Sequence, residues 1–182
     1  SAGKLLPHVQ VTQKDGELFV SGNAMLGYVG ELQSWYPQSI ATGDLGHVDD
    51  KGFVHISGRR KNLLISSYGR NIAPEWVESE LLATPLFADA VVFGDAQPYC
   101  VALVSVRDAA VPDILIQSAI DAANARLPDY ARVLRWQRLP APLATNPQLL
   151  TPNGRPRRAA IATHFAGELA ALYSPVTHAG VA

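Results

Sequence analysis

Residues 42–78 read TGDLGHVDDKGFVHISGRRKNLLISSYGRNIAPEWVE, and the order of signals inside this stretch decides the fold. Thr42-Gly43-Asp44 is a turn. Leu45 to Val48 and Phe53 to Ile56 are short apolar-rich runs joined by Asp49-Asp50-Lys51-Gly52, which predicts a pair of strands. At Gly58-Arg59-Arg60-Lys61 the character changes. Asn62 to Ser66 predicts one more strand and Ser67 to Asn71 a turn. Pro74 then opens a helix through about Ala83. Proline suits a helix's first position, and Glu75 and Glu78 complement the positive end of its dipole.

Upstream of this stretch the pattern remains β. Val9 to Thr12 and Glu17 to Val20 flank the turn Lys14-Asp15-Gly16, the signature of a hairpin, and Gly22 to Trp35 predicts a loop. No helix covers these strands, so a small β-barrel or sheet is expected to pack on something else. Downstream, Ala88 to Phe93, Val101 to Val106 and Leu134 to Leu139 predict strands. Pro112 to Leu127 and Arg157 to Tyr173 predict helices, with a proline-rich loop from Pro140 to Pro156. The expected fold class is α+β: a β-rich part over 1–57, a hinge over 58–61, and a compact unit of helices on a small mixed sheet over 62–182.

Composition narrows the function classes. Hydrophobic residues at 48% and charged residues at 17% describe a globular chain able to bury a core. A net charge of −1 gives no electrostatic case for nucleic acid or an anionic membrane. No apolar run reaches the length of a bilayer span. The lone Cys100 excludes an internal disulfide and fits a reducing, cytoplasmic setting; at a strand start it reads as a buried, inert thiol. The chain opens on Ser1-Ala2-Gly3 without Met and reads as the back part of a longer protein.

Three blocks carry candidate chemistry. Asp44 sits where a carboxylate can accept hydrogen bonds from the vicinal hydroxyls of a ribose, or simply satisfy its own turn. Arg59, Arg60 and Lys61 form a cationic run, which by default is a solvated face. Gly69 is either a plain hairpin glycine or a point where backbone approaches a slim ligand arm. Thr151 to Arg158, TPNGRPRR, is a basic loop before a helix.

In this order and spacing the blocks resemble the adenylate-forming family of acyl-CoA synthetases, luciferases and peptide-synthetase adenylation domains. The likeness is greatest to long-chain fatty-acyl-CoA ligases and runs from about Leu6 to Tyr173. The resemblance implies that Asp44 and Arg59 bind the nucleotide and that Lys61 is the pivot of a mobile C-terminal domain. It leaves Arg60 solvent-facing, and it puts Gly69 on the loop that enters the active site for thioester formation. Arg155 stands where the family's terminal signature has the lysine that reaches the substrate carboxylate and α-phosphate. Arginine keeps the charge but is a planar fork. Glu75 and Glu78 are expected to be structural.

The implied activity is a two-step ligation in which a carboxylic acid and ATP give an acyl-adenylate, and CoA then takes the acyl group. ATP, AMP and CoA would be bound, with Mg2+ held mainly by the chain's own N-terminal adenylating domain. Two alternatives stand beside it: delivery of the acyl group to a carrier protein, and a non-catalytic nucleotide- or acyl-CoA-binding module, for which Arg155 is the main support. The histidines (His8, His47, His55, His164, His178) have no partners at metal-ligand spacing, so no metal site is expected in this chain.

Overall fold

The computed structural model describes residues 1–23 and 25–174, and the chain divides into two compact units, Ser1–Leu63 and Leu64 onward. The first unit contains β1 (Gly3–Lys4), β2 (Val9–Lys14), β3 (Glu17–Gly22), β4 (Ile40–Val48) and β5 (Phe53–Arg59). They form one antiparallel sheet in the order β1-β5-β4-β3-β2. The β2–β3 hairpin closes through Asp15 and Gly16, both at positive φ (50° and 80°), a turn whose twist matches that of the strands it joins. The two outer strands do not pair, so the sheet is open and the barrel alternative is excluded.

Gly58 and Arg59, expected in the hinge, belong instead to β5, where Gly58 pairs with Leu45 and Arg59 with Asp44. A 3-10 turn, Arg60–Asn62, follows directly, and the first unit ends after it at Leu63. Gly22, expected to open a loop, ends β3, and among the described residues the connection from there to β4 is loop apart from a short 3-10 turn at Leu32–Ser34.

The second unit starts with a hairpin of β6 (Leu64–Ile65) and β7 (Asn71–Ile72), shorter than the sequence suggests. It continues with α1 (Pro74–Leu82), β8 (Phe87–Phe93), β9 (Cys100–Val106), α2 (Asp113–Asn124), β10 (Val133–Arg138), α3 (Arg158–His164) and α4 (Ala166–Tyr173). The central sheet runs β10-β9-β8, antiparallel between β8 and β9 and parallel between β9 and β10. The parallel pair requires a crossover, which α2 supplies.

Strand alternation gives this sheet two cores. Cys100, Ala102 and Val104 of β9 face a cluster with Val77 and Leu81 of α1 and Ile116 and Ile120 of α2. Val101 and Leu103 face the other side, with Leu139, Leu143, Leu149, Ile161 and Leu172. The proline-rich loop is therefore less irregular than expected. It holds two 3-10 turns, Leu143–Thr145 and Pro147–Leu149, that seat Leu143 and Leu149 in the second core. Asp89 ties that loop to the sheet by accepting from the Leu143 N–H (2.9 Å) and from the Ser105 hydroxyl (2.5 Å). The expected single C-terminal helix is two, because Phe165 leaves helical dihedrals (φ −109°, ψ 33°) just before Ala166-Gly167, where glycine weakens the helix.

Candidate active site

The first unit concentrates its polar chemistry at one end of the β4–β5 pair. Both sides of β4 are irregular here: its register shifts against β3 between Glu17 and Phe19 and against β5 between Leu45 and Gly46. Such irregularities re-aim side chains. Gly43 takes φ +71°. At Gly46 a Cβ would lie 2.1 Å from the His55 carbonyl oxygen, so only glycine fits. The Thr42 hydroxyl donates to the Leu18 carbonyl (2.7 Å) and accepts from the Asp44 N–H (3.0 Å), bracing the turn.

Asp44 and Arg59 meet across this pair. Arg59 Nε and Asp44 Oδ1 form an ion pair at 2.6 Å, with Asp44 the less exposed partner, and Arg59 Nη1 donates to the Thr42 carbonyl at 3.4 Å. Asp44 Oδ2 has no partner among the described residues. A carboxylate oxygen held open beside a guanidinium can accept from a hydroxyl while the guanidinium donates to an anionic oxygen, a combination that a ribose phosphate presents.

Arg60 does not simply face solvent. Its Nη1 donates to Oε2 of Glu17 on β3, and Glu17 Oε1 accepts from the Gly43 N–H at 3.0 Å. Glu17 is 4% exposed. The Arg60 guanidinium holds its carboxyl below the usual carboxylate range; burial acts in the opposite sense, and the Gly43 N–H reinforces Arg60. No sequence motif marks Glu17. A glutamate opening an apolar strand was the available signal. Lys61 lies in the 3-10 turn that ends the unit.

In the second unit, Gly69 occupies the tip of the β6–β7 hairpin at φ +74°, with open space where a Cβ would stand. Its N–H donates to the Ser66 carbonyl (2.8 Å), and the Arg70 N–H donates to the Ser66 hydroxyl (3.2 Å). The hairpin is pinned from below: Ile65 N–H donates to Asp95 Oδ1 (2.9 Å), Ala96 N–H to the Ile65 carbonyl (2.8 Å) and Ser67 N–H to the Gln97 carbonyl (3.0 Å). Tyr68 projects 77% exposed, and the Arg70 guanidinium lies over the Tyr130 ring at 5.7 Å.

Arg155 sits on a second braced turn. The Thr151 N–H donates to the Arg155 carbonyl (2.8 Å), the Arg155 N–H to the Thr151 hydroxyl (3.0 Å) and the Gly154 N–H to the Thr151 carbonyl (2.9 Å). The backbone is fixed while the Arg155 guanidinium has no partner among the described residues. The other arginines of this unit are engaged. Arg70 lies on Tyr130, Arg126 pairs with Glu80, and Arg107, Arg132, Arg135, Arg138 and Arg157 donate to backbone carbonyls. Arg158 bridges Glu78 of α1 (2.7 Å) and the Val92 carbonyl (2.7 Å), while the Val92 N–H donates to Glu78 (2.8 Å). That buried pair closes the free edge of β8. Burial pushes the Glu78 carboxyl up, against the opposing pull of Arg158.

No lysine follows Lys61 in the chain. Arginine at 155 therefore conforms to a unit whose every Lys-or-Arg position is arginine, a signal legible in the composition.

The two loops sit on opposite faces of the central sheet. Leu64 and Ile72 anchor the Gly69 hairpin in the core that holds α1 and α2. Leu149 and Leu150 anchor the Arg155 turn in the core that holds Ile161 of α3. Among the described residues no group of three or more His, Cys, Asp or Glu could hold a metal ion, and no helix is long and apolar enough to cross a membrane. His47 and His55 stack at 5.0 Å and His55 bonds Asp49 (3.0 Å); His178 lies outside the described residues. Cys100 is fully buried, which pushes its thiol up to about 11.

The chain belongs to the AMP-binding enzyme C-terminal domain family, whose profile matches residues 61–177. It is 32% identical over 192 residues to the long-chain-fatty-acid–CoA ligase FadD15 of Mycobacterium tuberculosis, a match covering 88% of this chain and 31% of that protein. A 2-succinylbenzoate–CoA ligase of Bacillus velezensis is 42% identical over 88 residues, 46% of this chain and 18% of that protein. The solved structure of the amide bond synthetase McbA from Marinactinospora thermotolerans superposes with a TM-score of 0.71 at 27% identity, covering 90% of this chain and 36% of that one. The chain thus spans about a third of the length of FadD15.

Proposed function

We propose that this chain acts as the C-terminal part of an AMP-forming acid–thiol ligase that activates a fatty acid. In the first step the acid's carboxylate oxygen attacks the α-phosphorus of ATP and pyrophosphate leaves. In the second a CoA thiol, losing its proton, attacks the acyl carbon and AMP leaves. Adenylation matters because AMP is a far better leaving group than the oxide of a bare carboxylate. Asp44 and Arg59 hold the ribose and phosphate side of the nucleotide. Arg155 places positive charge where the carboxylate and α-phosphate meet. The Gly69 hairpin presents unobstructed backbone to the thiol arm. Lys61, in the turn after β5, is the pivot about which the second unit exchanges its two faces. Among the described residues no cluster of acidic or histidine side chains could hold Mg2+. The fatty-acid class is supported by the extent of the FadD15 match, which covers most of both units.

The observation that carries this reading is the placement of the Gly69 and Arg155 loops on opposite faces of one rigid sheet. Two loops so placed serve two half-reactions by turns. In the whole enzyme, Arg155→Ala is expected to lower pyrophosphate release by about 10²-fold, the scale of one lost electrostatic contact to a transition state. It should spare single-turnover transfer to CoA from pre-formed acyl-adenylate. Gly69→Val should do the reverse. If both substitutions depress the same half-reaction, the alternation is wrong.

A further inference from the structure

We infer that Glu17 is the positioning residue of the nucleotide corner, acting through Gly43 and Arg60 to hold Asp44 and Arg59 in register. The inference rests on the reading that Asp44 and Arg59 contact the nucleotide. Its basis is geometric. Gly43 immediately precedes Asp44, and Arg60 immediately follows Arg59. One carboxylate on β3 takes both: Oε1 accepts the Gly43 N–H at 3.0 Å and Oε2 accepts the Arg60 guanidinium. The two strands that carry the candidate ligands are thereby clamped at the point where β4 is irregular on both sides and hydrogen-bond pairing alone leaves the register loose.

The burial of Glu17 argues against a purely stabilising role. Among the described residues of the first unit the only side chains classed as buried are Glu17 and Leu18. Sequestering a carboxylate is costly, and an apolar residue of similar size usually serves stability as well or better. A glutamate at the best-buried position of a thin sheet, with both oxygens committed to the neighbours of two ligand residues, fits the holding of geometry. The low-lying carboxyl, kept so chiefly by Arg60, ensures that the clamp is charged at neutral pH.

The test uses the whole enzyme with AMP as the binding probe and ATP and the carboxylic acid as varied substrates. Glu17→Gln and Arg60→Gln should each weaken AMP binding in calorimetry and raise KM for ATP by about tenfold, the scale of one hydrogen bond to a charged group. KM for the acid should not move. The double variant should be no worse than either single one, and Glu17→Gln should add no further loss of AMP affinity in an Asp44→Ala background. Wild-type AMP affinity in both Glu17→Gln and Arg60→Gln, with Asp44→Ala impaired, would overturn the inference while leaving the nucleotide reading intact. Unchanged AMP affinity in Asp44→Ala would remove the nucleotide reading itself. If Glu17→Gln does not fold, Arg60→Gln decides the matter, because the Arg60 side chain is 58% exposed and its replacement opens no cavity in an apolar core.

Discussion

The two units solve the problem of covering a sheet in opposite ways. From Leu64 onward, helices lie on both faces of a three-stranded sheet, and Val91, Val101, Leu103, Ile116 and Ile120 are fully buried. From Ser1 to Leu63 a five-stranded sheet has no helix, and Leu18 is its one buried apolar side chain among the described residues. Leu26, Tyr28, Val29, Leu32 and Tyr36 stand more than half exposed on the β3–β4 connection. The uses of charge differ in parallel. In the second unit arginines are struts, Arg158 among them; in the first, the two arginine ion pairs, Arg59 with Asp44 and Arg60 with Glu17, gather at one end of the β4–β5 pair. The buried apolar clusters lie in one unit, and the proposed nucleotide residues Asp44 and Arg59 in the other.

The most drastic way to break this comparison is to separate the units. Residues 64–174 expressed alone should give a cooperative thermal transition and dispersed amide resonances. Residues 1–63 alone should give neither, because a single uncovered sheet buries too little apolar area. A folded 1–63 would end the contrast. Within the second unit, Arg158→Ala strands Glu78 in the core and should cost about 3–5 kcal/mol in denaturant unfolding. An effect below about 1 kcal/mol would mean that the pair is solvated like an ordinary surface bridge.

Lys61→Pro probes the junction between the units. Proline fixes φ and removes an N–H in the turn that follows β5, so thioester formation in the whole enzyme should slow more than pyrophosphate release. Equal loss in both half-reactions would place the pivot elsewhere. Gly69→Ala is the mildest change. Its Cβ would meet nothing within 4 Å, so only the left-handed backbone is strained, at about 1 kcal/mol. A larger loss of stability would show that the hairpin tip is packed, and would weaken its assignment as an open ligand loop.

Much of this was legible in residues 42–78. Alternation and turn chemistry marked the β4–β5 pair, and Pro74 marked the start of α1, because these signals are local. The candidate residues Asp44, Arg59, Gly69 and Arg155 were identifiable because each lies in a short motif with fixed spacing. Failures came where the deciding partner is distant in sequence. Arg60 looked solvent-facing since its partner, Glu17, is on another strand. Gly58 and Arg59 looked like hinge because a glycine beside a charge run resembles a linker, yet cross-strand pairing with Leu45 and Asp44 extends β5 through them.

By itself the sequence determined the α+β class, the change of character near Gly58 and the residue types available for chemistry, since these follow from local periodicity and motif spacing. Only the tertiary structure decided that the first sheet stays open, that one buried carboxylate grips both neighbours of the nucleotide candidates, and that the Gly69 and Arg155 loops occupy opposite faces. Each of these depends on which strand lies beside which. That is settled by burial and backbone pairing between segments far apart in the chain, and no local pattern records it.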